Sequence, residues 1–132
     1  MTLVFDTSII IALEKNDENV ITKIQELLKN YRLPPATTFL NLFEFLLGVK
    51  IKPPKKAKEA VTFIKKFDIL NSTERTSELL ADLKYKYDRK GMALSLSDLI
   101  IASLVIENDM VLVTMDKDFE KIEELNKELI GN

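Results

Sequence analysis

The chain has 132 residues and contains neither cysteine nor histidine. Without cysteine there is no disulfide framework, no thiolate nucleophile and no sulfur-ligated metal. Without histidine the Ser-His-Asp and Cys-His mechanisms fall away, as do the usual zinc hydrolases and the usual neutral-pH proton shuttle. Long apolar runs are also missing. The longest, Leu99 to Ile106, is broken by Ser103 and is far too short to cross a bilayer. No secretory signal pattern opens the chain, so no membrane association and a cytoplasmic location are expected. Nor is there an excess of positive charge: the formal net charge is −2. Nucleic acid would therefore have to be drawn by a local basic patch. Any catalysis must run on carboxylates, hydroxyls, lysine or a hard metal ion.

What is present is the composition of a soluble globular protein, 46% hydrophobic and 30% charged. The length fits one domain over residues 1–132, with enough chain to bury a core. Short apolar or β-branched runs at Thr2–Phe5, Ala36–Thr38, Phe67–Leu70 and Met110–Val113 predict strands. Between them, periodic stripes predict helices over Thr7–Lys15, Asp17–Tyr31, Leu40–Val49, Lys55–Phe67, Glu74–Arg89 and from Asp98 to Ile106. Pro34-Pro35 is expected to stop one helix, and Gly48 and Gly91 to end two others. Glu120–Asn132 fits a last helix or an edge strand. Strands alternating with helices give an α/β fold with a mainly parallel sheet covered on both faces. In such sheets, sites collect beyond the carboxyl ends of the strands. Asp6 and Asp116, each following a strand, belong on that rim.

Four acids stand among apolar neighbours: Asp6, Glu44, Asp98 and Asp116, with Asp118 close by. Each has an ordinary explanation. Asp6 and Asp116 are placed to cap helices, and Ser95-Leu-Ser-Asp98 and Asn41-Leu-Phe-Glu44 have capping-box spacing. Together they are harder to dismiss. Like charges gathered on one rim repel, and some must protonate unless a cation joins them. Ligands that are all oxygen select Mg²⁺ or Mn²⁺ over zinc, and such ions suit phosphoryl transfer.

The order Val4-Phe5-Asp6-Thr7-Ser8, Phe43-Glu44-Phe45-Leu46-Leu47-Gly48, Ser97-Asp98-Leu99-Ile100-Ile101-Ala102 and Val113-Thr114-Met115-Asp116-Lys117-Asp118-Phe119 resembles the PIN domain family. It is most similar to the small VapC-like members that act as toxins of toxin–antitoxin pairs. The resemblance spans the chain and implies a three-layer α/β/α sandwich. It also implies a Mg²⁺- or Mn²⁺-dependent ribonuclease, often homodimeric, with an antitoxin protein as partner. The family's metal-site acids fall on Asp6, Glu44, Asp98 and Asp116. Thr7, Ser8 and Thr114 match its supporting hydroxyls, and Asp118 an auxiliary acid. Met115 departs from the basic or polar residue common at its position. The activity so implied is attack of metal-activated water on an RNA phosphodiester, leaving a 5′-phosphate and a 3′-hydroxyl.

Other readings compete. A receiver domain needs an adjacent acid pair after the first strand and a lysine ending the last, and Phe5-Asp6-Thr7 and Thr114-Met115-Asp116 supply neither. A haloacid dehalogenase-type phosphatase needs Asp-x-Asp, and Ser8 occupies the second place. An RNA-processing PIN nuclease without an antitoxin and a non-catalytic PIN-like binding module both remain compatible with the residues. Two basic groups, Lys50/Lys52/Lys55/Lys56/Lys58 and Lys84/Lys86/Arg89/Lys90, read as solvated faces or phosphate contacts. The tyrosines and phenylalanines are spaced mostly as core. Ile9, Ile10, Ile11 and Phe39–Leu47 are more apolar than one small core uses, which predicts a homodimer.

Overall fold

The computed structural model describes residues 1–131; Asn132, the last residue of the expected domain and of the expected final element, lies outside them. In chain order the elements are β1 (Thr2–Phe5), α1 (Thr7–Glu14), α2 (Glu18–Leu28), β2 (Arg32–Thr38), α3 (Phe39–Ile51), α4 (Ala57–Lys65), β3 (Asp68–Leu70), α5 (Glu74–Arg89), α6 (Leu96–Glu107), β4 (Val111–Thr114), a short 3₁₀ helix (Lys117–Lys121) and β5 (Lys127–Leu129). All strand pairs are parallel, in the order β3-β2-β1-β4-β5.

Alternation along the two central strands builds three layers. Leu3, Phe5, Val111 and Val113 point to one face, where they pack with Ile9 and Ile10 of α1, Val20 and Ile24 of α2, Phe45 of α3 and Ile64 of α4. Val4 and Leu112 point to the other face, against Leu83 and Tyr87 of α5 and Leu99, Ala102 and Val105 of α6. Strands buried on both faces read as continuous apolar runs. The expected α/β/α sandwich is the observed one.

The differences have local causes. β2 runs through Pro34-Pro35 instead of starting after it, because its exposed first half needs few ladder donors and Pro lacks one. Gly48 lies inside α3 rather than at its end. The helix continues to Ile51 and is capped at Lys52. α6 starts at Leu96, two residues before Asp98, because the Ser95 hydroxyl accepts the Asp98 N–H at 3.1 Å and makes Ser95 the N-cap. The final segment is both alternatives in part, a 3₁₀ turn and then an edge strand. Gly91 does sit past α5, with a φ of +70° that suits glycine.

One topological fact positions the site. Chain connections from β1 run to β2 on one side, while β4 lies on its other side, so the strand order reverses between β1 and β4. The crevice beyond the carboxyl ends at that reversal is where open α/β sheets bind ligands. Asp6 follows β1 and Asp116 follows β4.

Candidate active site

Asp6 is buried, 7% exposed, at the start of α1. Its side chain makes no cap bond to that helix. Its carboxylate is held elsewhere: Oδ1 accepts from Asn41 Nδ2 at 2.9 Å and Oδ2 from Thr114 Oγ1 at 2.7 Å. Burial pushes the Asp6 carboxyl above its ordinary range; the Thr114 and Asn41 bonds oppose the shift and the charge of Asp116 adds to it.

Glu44 is not a capping-box acid. The N-cap of α3 is Thr38, whose hydroxyl accepts the Asn41 N–H at 3.1 Å and donates to Asn41 Oδ1 at 2.7 Å. That pairing puts Glu44 in the helix interior, half-buried, where its Oε1 accepts from Thr7 Oγ1 at 2.7 Å. Asp98, half-buried on the first turn of α6, is pushed up to about 6. Loss of hydration is the main cause, opposed by the Ser95 hydroxyl and reinforced by Asp116, Asp6 and Asp118. Asp116 does cap the 3₁₀ helix, accepting the Asp118 N–H at 2.9 Å, while its own N–H is taken by Thr114 Oγ1 at 3.0 Å. Ser8 Oγ accepts the Met115 N–H at 3.4 Å, a long bond that ties α1 to the end of β4.

Asp98, Asp116 and Asp118 each offer a carboxylate oxygen, all within 4.8 Å of one another. Asp6 bears electrostatically on Asp98 and feels Asp116. Glu44 joins this group through hydrogen bonds rather than direct approach, by way of Thr7 and Asn41. Asp118, an auxiliary acid in the sequence, thus stands within the same 4.8 Å as Asp98 and Asp116. Sequence reasoning missed Asn41 as a site residue. Its signal was there: a lone amide inside the apolar run Leu40–Val49, fully buried. The donor set fits a hard divalent cation. It is all carboxylate oxygen, like-charged, and one member already has its proton affinity raised.

The second basic group is largely neutralised. Lys84 pairs with Asp88 at 2.7 Å, Lys86 with Glu124 at 2.8 Å and Lys90 with Glu123 at 3.5 Å. Of the first group, only Lys56 has an acid within reach among the described residues, Glu59 at 4.0 Å. Tyr85 is 65% exposed rather than core, with the Arg89 guanidinium over its ring. Ile9 and Ile10 are in the core, which corrects their expected place on an apolar surface. Ile11, Phe43, Leu47 and Ile51 do remain exposed, the last three one α3 turn apart. A groove of about 220 Å³ opens beside Glu44, lined by Ile11, Phe45, Val49, Lys52 and Pro54. No helix among the described residues is long and apolar enough to cross a membrane.

Comparison with known proteins gives the chain a family model and a fold. The PIN domain family model matches residues 3–125. Ribonuclease VapC2 of Rickettsia felis is 23% identical over 127 residues, covering 95% of each chain. The structure of VapBC2 from Rickettsia felis, bound to a DNA fragment from its promoter, superposes with a TM-score of 0.81 at 24% identity, covering 98% of this chain and 99% of that one. VapBC-1 from nontypeable Haemophilus influenzae gives 0.78 at 24% identity, covering 98% of each chain. At these identities the structural likeness speaks for the fold.

Proposed function

This chain belongs to the PIN domain family, and on that premise we propose that it is a divalent-metal-dependent endoribonuclease, the toxin of a type II toxin–antitoxin pair. The observation that carries the proposal is the convergence of the Asp98, Asp116 and Asp118 oxygens within 4.8 Å, at the strand-order reversal where Asp6 is buried. Asp6, Asp98 and Asp116 would hold Mg²⁺ or Mn²⁺, with Glu44 and Asp118 completing the set. A bound ion supplies Lewis-acid charge and activated water for phosphodiester hydrolysis.

The chain's own groups divide the remaining work. Thr114 and Asn41 fix both oxygens of Asp6 by donating to them, so the carboxylate is oriented before anything binds. Thr7 occupies one oxygen of Glu44 and leaves the other to accept a hydrogen bond from water. Asp98 is raised toward neutral pH, so it gains from a nearby positive charge more than an ordinary carboxylate does. In-line cleavage would leave a 5′-phosphate and a 3′-hydroxyl.

The cap bond made by Asp116 is what a non-catalytic PIN-like module would rest on. Cleavage decides between the two. Purified protein should cut single-stranded RNA with Mg²⁺ or Mn²⁺ and stop on adding EDTA, and the product of the neighbouring reading frame, acting as antitoxin, should also stop it. Metal-independent cutting that survives every acid substitution would overturn the reading.

In this proposal residues 1–132 form one cytoplasmic nuclease domain. The relatives crystallised as VapBC support an antitoxin partner, and the groove beside Glu44 is a fitting place for it. A homodimer is also part of the proposal. Phe43, Leu47 and Ile51, at 55%, 43% and 76% exposure, form an apolar stripe that pairing would cover. Light scattering coupled to gel filtration should give twice the 15.1 kDa chain mass. A monomer persisting at high micromolar concentration would defeat the dimer.

A further inference from the structure

The geometry points to Asn41 as a positioning residue that locks Asp6 and Glu44 into one directed hydrogen-bond chain; the inference rests on the reading of both acids as part of a cation site. The direction follows from the partners. Thr38 Oγ1 accepts the Asn41 backbone N–H at 3.1 Å, so its own hydrogen is free to donate to Asn41 Oδ1 at 2.7 Å. That fixes which end of the amide is oxygen. The two hydrogens of Asn41 Nδ2 then go to Asp6 Oδ1 at 2.9 Å and Thr7 Oγ1 at 3.0 Å. Since Thr7 Oγ1 accepts from Asn41, its hydrogen must go to Glu44 Oε1 at 2.7 Å. Asp6 and Glu44 are 38 positions apart in sequence and on different helices' starts and interiors, yet one amide sets the orientation of both.

Burial makes the chain rigid. Asn41 and Thr38 are fully buried, and no buried side-chain polar atom is left without a partner among the described residues. Water does not compete for the Thr38–Asn41 and Asn41–Asp6 bonds, whereas the Thr7–Glu44 end is part-buried, and removing the Asn41 donor leaves a buried acceptor on Asp6 stranded. Hydrogen-bonded residues behind metal ligands typically change affinity or activity by about 10–100-fold when lost. Asn41 therefore acts through Asp6 and Thr7, not by touching substrate.

The test uses two shape-preserving variants, Asn41→Leu and Thr7→Val, their double variant, and Thr7→Ser, which restores the hydroxyl. Calorimetric titration with Mn²⁺ alone gives the Kd, RNA cleavage gives kcat and KM, and thermal melting checks folding. Asn41→Leu should raise the Mn²⁺ Kd by roughly 10–100-fold. Thr7→Val, which keeps the Asn41–Asp6 bond, should lower kcat by about tenfold or more with KM little changed. Thr7→Ser should recover most of that loss. The double variant should be no worse than Asn41→Leu, because the chain is already cut upstream. If Asn41→Leu fails to fold, Asn41→Ala takes its place with the same expected rise in the Mn²⁺ Kd, and an unchanged Kd overturns the inference. Variants that melt earlier but keep wild-type Kd and kcat would overturn the inference. Wild-type protein that binds Mn²⁺ but leaves RNA intact would defeat the ribonuclease reading instead, and the Kd comparison would still decide the role of Asn41.

Discussion

Asp98→Asn should slow RNA cleavage by roughly 10²–10³-fold while the protein stays folded. Asparagine keeps the shape of the side chain and removes its charge. On the proposed function the charge is what the site would use: a bound metal contributes several kcal/mol of transition-state stabilisation, and each tenfold in rate is about 1.4 kcal/mol. Asp98 is one of the three carboxylates whose oxygens lie within 4.8 Å of one another, so on the proposed function its loss would weaken the hold on an ion directly. Asp116→Asn should behave similarly. Asp17→Asn is the internal control. Asp17 caps α2 by accepting the Asn19 and Val20 N–H groups, far from the cluster in role, and asparagine caps almost as well. Single-turnover cleavage of a labelled RNA measures all three. An Asp98→Asn rate within a factor of about three of wild type would contradict the assignment, since a lost ligand cannot be that mild.

In metal-free protein the same substitution should be stabilising. Asp98 titrates near 3.8 when unfolded and at about 6 in the fold. Between those values the native state holds more protons than the unfolded one, so stability is greatest below the lower value and falls as pH rises through the upper one. Taken whole, that shift is about 3 kcal/mol, but the side chain is only half-buried. Solvent screening brings the expected effect to roughly 1–2 kcal/mol. Asparagine removes the penalty. The difference in stability between Asp98→Asn and wild type in EDTA should therefore grow from near zero at about pH 4 to its full value near pH 7. A capping acid predicts the opposite sign, a loss of roughly 0.5–2 kcal/mol on replacement. Adding Mn²⁺ at about a hundred times its Kd should then stabilise wild type by about 2.7 kcal/mol and the variant hardly at all. Urea denaturation across pH 4–8, with and without metal, reads both effects.

How far the sequence carried the account depended on whether the signal was local. The strands at Thr2–Phe5 and Met110–Val113 were visible because burial on both faces leaves short β-branched runs, and three of the four were found within a residue or two of their observed ends. The sequence shortens β2 because two prolines look like a stop, and nothing local says that this half of the strand is exposed and needs few donors. The acids are legible as anomalies among apolar neighbours; the structure brings Asp98 and Asp116 together with Asp118, while Asp6 bears on them electrostatically. Glu44 was harder. Asn41-Leu-Phe-Glu44 and Thr38-Phe-Leu-Asn41 spacings compete for the same helix start, and only the backbone decides that Thr38 is the cap. The role of Asn41 is a long-range contact with Asp6, 35 residues away, and no local rule could have assigned it. The same holds for Ile9 and Ile10, whose burial depends on α2, α3 and α4 closing over them.

The most direct test of the central claim is a calorimetric titration of the metal-free protein with Mn²⁺, wild type beside Asp98→Asn. The account predicts saturable binding to the wild type at the acid cluster, and its loss in the variant. Equal binding by both proteins, or none by wild type, would contradict it.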